Sequence, residues 1–286
     1  MEKHRFIAKK QTTIKDYLQH RLKFSRRHYR RVKANSKIYV NGIESFVTAP
    51  IKQGDVVEIL LPTNSVNISP YPYELDILYE DKYILAVNKP KDMLTHPTSK
   101  ERTNTLINAV QFRQNALNEC HSIHPIHRLD RETSGVVMIA KSPYSSMVFT
   151  QMFEQRKVDK RYLAIVSGVP KQTNGEINSD LYNYSTKRYQ KAITNYKVIN
   201  SWNHFALIEA VPLTGRTHQI RRHLTEITSG IVGDSIYNTK SNEGGKGQLL
   251  HALSLTFMHP VTKKITKIVA RLPQDFKKEL RKIQKI

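Results

Sequence analysis

The chain has 286 residues, 39% apolar and 8% aromatic, enough for a packed core and too much for wholesale disorder. Its 46 Lys and Arg against 24 Asp and Glu leave a formal net charge of +22, an excess that fits a polyanion: nucleic acid first, an anionic membrane surface second. The single cysteine, Cys120, excludes an internal disulfide and a thiolate zinc site. With no apolar run long enough to span a bilayer and no apolar leader, a soluble, cytoplasmic protein with no membrane partner is expected.

Residues 1–62 hold fourteen Lys/Arg and five Asp/Glu. Thr12 or Thr13 can cap a helix in which Ile14, Tyr17, Leu18 and Leu22 recur at i, i+3, i+4 and i+8. Ser25 can cap a second helix bearing Arg26, Arg27, Arg30 and Arg31. These form two i,i+4 like-charge pairs, each costing an isolated helix roughly 0.2–0.5 kcal/mol, and phosphates would neutralise them. Residues 37–43 alternate and turn at Asn41-Gly42, the signal of a two-residue hairpin. Gly54-Asp55 marks another turn, ahead of a strand over 56–61.

Leu18, Ser25-Arg26, Val40-Asn41-Gly42 and Gly54-Asp55 together resemble an S4-like RNA-binding domain, which implies that the four arginines meet RNA. Taken without the resemblance, the segment is a basic α/β module with a solvated arginine face. Residues 62–72 lack apolar periodicity and hold three prolines. A linker over 63–72 is therefore expected between a domain of residues 1–62 and one of residues 73–286.

In the larger segment, alternation predicts strands over 83–88, 135–140, 162–167, 191–199 and 204–211, and helices over 104–114, 145–155 and 218–228. Phe276, Leu280 and Ile283 give the basic tail a helical period, suited to a packing helix or to an extension of an RNA surface. Strands outnumber helices and often follow one another directly. That favours an α+β fold with a mixed, mainly antiparallel sheet, beside the small N-terminal α/β domain.

The richest stretch for chemistry is His127-Arg128-Leu129-Asp130-Arg131-Glu132-Thr133-Ser134-Gly135, which leads into the apolar run 136–140. A loop fixed to a rigid strand is a common place for reactive groups. Asp130, between two arginines, could serve beside bound RNA as a nucleophile or base, or simply pair with its neighbours. Around residue 217 a helix begins whose Ile220, Leu224 and Ile227 face the core. Arg221, beside that stripe, could reach a partly buried carboxylate, whereas Arg222 is placed to meet solvent or phosphate. Tyr162 opens a strand, where tyrosines are ordinarily core residues. His121, His124 and His127 are spaced by three, but Pro125 interrupts any helix that would align them, so no metal site is expected. Residues 244–247 (Gly-Gly-Lys-Gly) lack the spacing of a phosphate loop and read as a surface loop.

The stretch 127–135 resembles the signature of the RluA family of RNA pseudouridine synthases. Lys89-Pro90 with His96-Pro97, residues 160–168, residues 214–221, Gly233-Asp234 with Tyr237, and His251-Ala252 with His259-Pro260 resemble further motifs of that family in the same order. The resemblance implies that Asp130 is catalytic, that Arg221 pairs with it, and that Tyr162 lies in the uracil pocket. It implies that Arg128 helps to displace the target nucleotide, and it puts His127, Arg131, Arg216 and His218 on the substrate side. No cofactor, metal or obligate protein partner is implied; the partner is RNA, ribosomal before transfer RNA. Two positions depart from the pattern: Asp92 and Asn238 stand in expected turns where Gly is usual. The rival readings are a non-catalytic RNA-binding or ribosome-assembly factor retaining the fold, and a carboxylate-dependent glycoside or nucleoside hydrolase.

Overall fold

The structure, a computed structural model, describes residues 2–21, 26–61, 68–119, 121–238 and 247–285. The first elements are β1 (Glu2–Ile7), β2 (Thr12–Thr13), α1 (Ile14–Asp16), α2 (Arg26–Asn35), β3 (Lys37–Val40), β4 (Ile43–Ser45), β5 (Pro50–Ile51) and β6 (Val56–Leu61). Four of the strands form an antiparallel sheet in the order β1-β6-β3-β4, and β2 pairs with β5. The Thr13 hydroxyl accepts the Asp16 N–H at 3.0 Å, capping a helix that runs on as a π-helical turn over Tyr17–Arg21. Leu22 and Ser25 lie outside the described residues, and of the four arginine side chains on α2 only that of Arg30 is described; it is exposed.

The β3–β4 turn has φ of 52° at Asn41 and 84° at Gly42, as a type I′ hairpin requires. Asp55 buttresses it by accepting the Lys52 N–H at 2.7 Å and the Asn41 amide at 2.9 Å, bonds that lower its pKa. Ile14, Leu18, Val32, Ile38, Ile51, Val57 and Ile59 fill the core beneath this sheet. Strand β1 was not expected, because only Phe6 and Ile7 of its six residues are apolar; it is recruited by β6, and Phe6 stacks on Tyr17 at 3.8 Å.

Residue 62 and residues 63–67 of the expected linker lie outside the described residues. The part that follows is irregular but docked: Ile68, Tyr71, Tyr73 and Leu75 pack on a core, and the Asn108 side-chain amide donates to the Ser69 carbonyl at 2.7 Å.

The remaining elements are β7 (Ile77–Glu80), β8 (Ile84–Lys89), α3 (Leu106–Ala116), β9 (His124–Pro125), β10 (Ser134–Ala140), α4 (Pro143–Glu154), β11 (Val158–Ser167), β12 (Asn174–Asn183), β13 (Arg188–Trp202), β14 (Phe205–Pro212), α5 (Gln219–Ile227), β15 (Gly230–Ile231), β16 (Leu250–Met258), β17 (Ile265–Val269) and α6 (Gln274–Ile283). They build an eleven-stranded sheet with the path β12-β13-β14-β11-β16-β10-β8-β7, flanked by β15, β17 and β9. Every pairing is antiparallel except β10 with β16. The fold is therefore α+β, with the expected strands and helices present and β7, β12, β16, β17 and the two-residue β9 and β15 added. The tail helix α6 buries Phe276 and Ile283 against the sheet, which makes it a packing helix.

That parallel pair organises the centre. Strand β16 runs between β10 and β11, and its Ala252 is the register partner of both Gly135 and Tyr162. The loop entering β10 and the start of β11 thus open on one region. Gly135 has φ +115°, and a Cβ there would collide with the Ala252 carbonyl, so the close approach depends on glycine. No described helix is long and apolar enough to cross a membrane.

Candidate active site

A cleft of about 310 Å³ opens where these elements meet, lined by residues 127–130 before β10, Lys160 and Tyr162 of β11, and residues 214–221 leading into α5. Its size falls at the small end of ligand sites, roughly 300–1,000 Å³.

Helix α5 carries an arginine into this cleft because its apolar residues Ile220 and Leu224 bury into the sheet core and draw Arg221 in beside them. Arg221 is only 5% exposed. Its Nε and Nη2 donate to the two oxygens of Asp234 at 2.7 and 2.8 Å, and its Nη1 reaches Asp130 Oδ2 at 3.3 Å. Asp234 is further fixed by the N–H groups of Ile236 and Tyr237, at 3.0 and 3.1 Å. The guanidinium also lies over the Tyr237 ring, 5.0 Å from its centroid. Burial opposes the charge on Arg221, but the two carboxylates overcome it and raise its pKa.

His218 precedes the helix in a left-handed conformation, φ 54°. Its Nε2 is 3.8 Å from Asp130 Oδ2 and its Nδ1 is 3.1 Å from the Tyr237 hydroxyl. Burial lowers its pKa, against the opposite pull of Asp130. Tyr162 lines the facing wall; burial first, and the nearby Asp130 second, push its hydroxyl well above the ordinary tyrosine range. It is therefore a protonated phenol at neutral pH, able to stack or donate a hydrogen bond.

Alternation along β11 turns Arg161 and Tyr162 to opposite faces, at the point where the register with β16 skips Leu253. Arg161 points away from the cleft to Asp159 and Glu209, at 2.9 and 3.2 Å. Lys160, two residues before Tyr162, shares the cleft face, donates to the Thr214 carbonyl at 3.3 Å, and is pushed by burial down to about 8. Lys160 and Asp234 enter the sequence reading only as members of motifs, with no site role assigned to either. The period of two along β11 could have found Lys160; Asp234 had no signal beyond its place in a motif.

Arg128 and Arg216 line the cleft, and Arg216 Nε donates to the Lys191 carbonyl at 3.1 Å. His127 lines it too, with a second duty: Nε2 accepts the Met138 N–H at 3.2 Å and the ring stacks on Phe153 at 4.9 Å. Burial pushes its pKa down to about 3. Arg131 does not join them; it is held by Glu101 at 2.5 Å and by the Asp92 carbonyl at 3.3 Å. Arg222 meets the Tyr182 carbonyl at 3.1 Å. Beneath the loop, fully buried Lys89 donates to the carbonyls of Pro90, Met93 and Arg131 at 2.7, 2.7 and 3.0 Å, tying residues 89–93 to the segment that presents Asp130. Asp92 does adopt a positive φ, 63°. Asn238 instead is buried and donates to the Ile231 carbonyl at 3.0 Å. Of residues 244–247 only Gly247 is described, and among the described residues no three His, Cys, Asp or Glu side chains gather as a metal site.

Residues 83–226 match the RNA pseudouridylate synthase family. The chain is 36% identical over 227 residues to an uncharacterized RNA pseudouridine synthase of Mycoplasma pneumoniae, covering 75% of this chain and 72% of that one. It is 31% identical to a protein of Xylella fastidiosa named ribosomal large subunit pseudouridine synthase D, covering 83% and 78% of the two chains. Among solved structures, the human protein RNA Pseudouridylate Synthase Domain Containing 4 superposes with a TM-score of 0.63 at 24% identity, over 73% of this chain and 93% of that one. That likeness supports the fold. With family match and relatives agreeing over most of its length, the chain belongs to the RluA family of RNA pseudouridine synthases, isomerases that act on uridine in RNA.

Proposed function

We propose that the cleft isomerises uridine within ribosomal RNA, with Asp130 as the reacting carboxylate, Arg221 fixing its position and Tyr162 against the uracil. The observation that carries this reading is the Arg221 bridge between a buried carboxylate, Asp234, and a partly exposed one, Asp130, in a cleft faced by Tyr162. A carboxylate that merely served stability would have no need of an open cleft in front of it.

The reaction breaks the bond from ribose C1′ to uracil N1, turns the base, and joins C1′ to C5; the proton lost from C5 is matched by one gained at N1. Asp130 acts at the sugar, by addition or by removing a ribose proton. The target must first leave its stack, at a cost of a few kcal/mol. Contacts from Arg128 and Arg216 at the mouth of the cleft offset that cost through phosphates. Residues 1–62 act as an S4-like RNA-binding domain and residues 73–286 as the catalytic one, joined through 63–72. Large-subunit ribosomal RNA is the favoured substrate on the strength of the Xylella relative's name.

The test has two arms. Asp130→Asn protein incubated with uridine-labelled RNA should yield no pseudouridine, and undiminished isomerisation would remove Asp130 from the mechanism. Pseudouridine mapping of total RNA from cells with and without the gene should show loss of a ribosomal site. A loss confined to transfer RNA would overturn the substrate assignment.

A further inference from the structure

The hairpin between β12 and β13 ends in three tyrosines. Tyr182 and Tyr189 are cross-strand partners with rings 5.2 Å apart, and Tyr184 in the turn meets Tyr182 edge-on at 5.1 Å. Cross-strand aromatic pairs stabilise hairpins, but that role covers the rings. Here Tyr184 is 81% and Tyr189 70% exposed, so the hairpin holds two large apolar faces in water. Around them stand Lys187, Arg188 and Lys191; Asp180, the cross-strand partner of Lys191, is the one acidic residue from 180 to 191. An aromatic surface with three cations to one acid at its rim suits a polyanion that also carries flat π-faces.

The position of the hairpin is equally specific. Arg222 of α5 donates to the Tyr182 carbonyl at 3.1 Å, Ser179 to Glu226 of α5 at 2.8 Å, and Arg216 to the Lys191 carbonyl at 3.1 Å. The hairpin is thus braced by the same segment that carries Arg221. The pKa of Tyr237 is raised chiefly by burial, with a small contribution from Tyr184. Tyr237 is 3.1 Å from His218, which is 3.8 Å from Asp130.

We propose that Tyr184 and Tyr189 form a stacking platform for unpaired RNA bases flanking the target uridine, with Lys187, Arg188 and Lys191 taking the adjoining phosphates. The proposal rests on the cleft being the uridine site. The platform holds a neighbouring base that the extruded nucleotide leaves without its stacking partner, and stacking of this kind tolerates any base.

Two 5′-fluorescein-labelled probes test it by anisotropy: dodecauridylate RNA, and a twelve-unit abasic ribose-phosphate strand of the same charge. The Tyr184→Ala/Tyr189→Ala protein should bind dodecauridylate about tenfold or more weakly than the wild type. Tyr184→Phe/Tyr189→Phe, which keeps the rings, should stay within about twofold, and the abasic strand should bind all three proteins alike, which also controls for folding. Equal binding of dodecauridylate by the alanine variant and the wild type would overturn the platform, as would an equal loss on the abasic strand. Pseudouridine formation is not read in this assay, so base-dependent binding without isomerisation would count against the catalytic assignment alone.

Discussion

Arg221 grips Asp234 more closely than it approaches Asp130: two bonds of 2.7 and 2.8 Å on one side, a single one of 3.3 Å on the other. The tighter partner has no exposed side-chain surface, whereas Asp130 is 25% exposed to the cleft. Asp234 therefore sets where the guanidinium stands, and the guanidinium in turn sets Asp130.

Asp234→Asn keeps an oxygen for the N–H groups of Ile236 and Tyr237 but leaves a buried guanidinium with less compensation. Removing one partner of a buried pair costs about 3–5 kcal/mol, and Asp130 moderates that loss here. The expected outcome is a melting temperature lower by several degrees and a fall in kcat with KM for RNA little changed. A variant as stable and as fast as the wild type would show that Asp234 does not position Arg221.

Some of this arrangement was legible in the sequence and some was not. Ile220, Leu224 and Ile227 reveal by spacing which face of α5 is buried, and so that Arg221 lies at its margin. No spacing reveals which carboxylates meet it, because Asp130 and Asp234 arrive from different loops. Strands with clear alternation, such as β10 and β14, could be read directly. β12 and β17 could not: their burial alternates, but each buries few residues, and the inward positions of β12 include Gly175 and Ser179 beside Ile177 and Leu181. The prolines of residues 68–75 announce irregular chain, but irregular chain also packs: Tyr71 and Tyr73 dock on a core that periodicity cannot report.

Buried histidines give the fold an acid limit. His127 is held down to about 3 and His251 to about 4, chiefly by burial, whereas their unfolded counterparts protonate near 6.5. Between those values the unfolded chain binds more protons than the folded one. Their contribution is fully present above about pH 6.5 and is lost as pH falls toward the folded values. Near pH 4.5 His127 alone should cost on the order of 2 kcal/mol, read as a lower melting temperature than at pH 7.5. His127→Gln can still accept the Met138 N–H without titrating. It should melt with a shallower dependence on pH; an unchanged slope would exclude His127 as a source of the acid sensitivity.

Gly135 offers a sharper structural test. Alanine there must adopt φ +115° and push its Cβ into the backbone of Ala252, parting β10 from β16 just beyond the loop that bears Asp130. Backbone strain of this kind costs of order 1–3 kcal/mol before the clash is counted. Gly135→Ala should lose both stability and turnover, measured by thermal melting and single-turnover assay. A fully active, equally stable variant would show that the strands have room to separate.

The first 61 residues are coupled mechanically to α4. Met147, 5% exposed, completes the core of the N-terminal sheet together with the flanks of Tyr144 and Val148. Truncation after the expected boundary would leave these side chains facing water, whatever it does to RNA binding. The shortened chain should also be less soluble and melt earlier. Met147→Ala in the full-length protein isolates the effect: truncating a buried methionine costs about 2–5 kcal/mol. Because Met147 belongs to both parts, the loss should loosen the N-terminal sheet from α4, and limited proteolysis should cut the full-length variant faster than the wild type. If cleavage proceeds at the wild-type rate, the contact does not hold the two parts together.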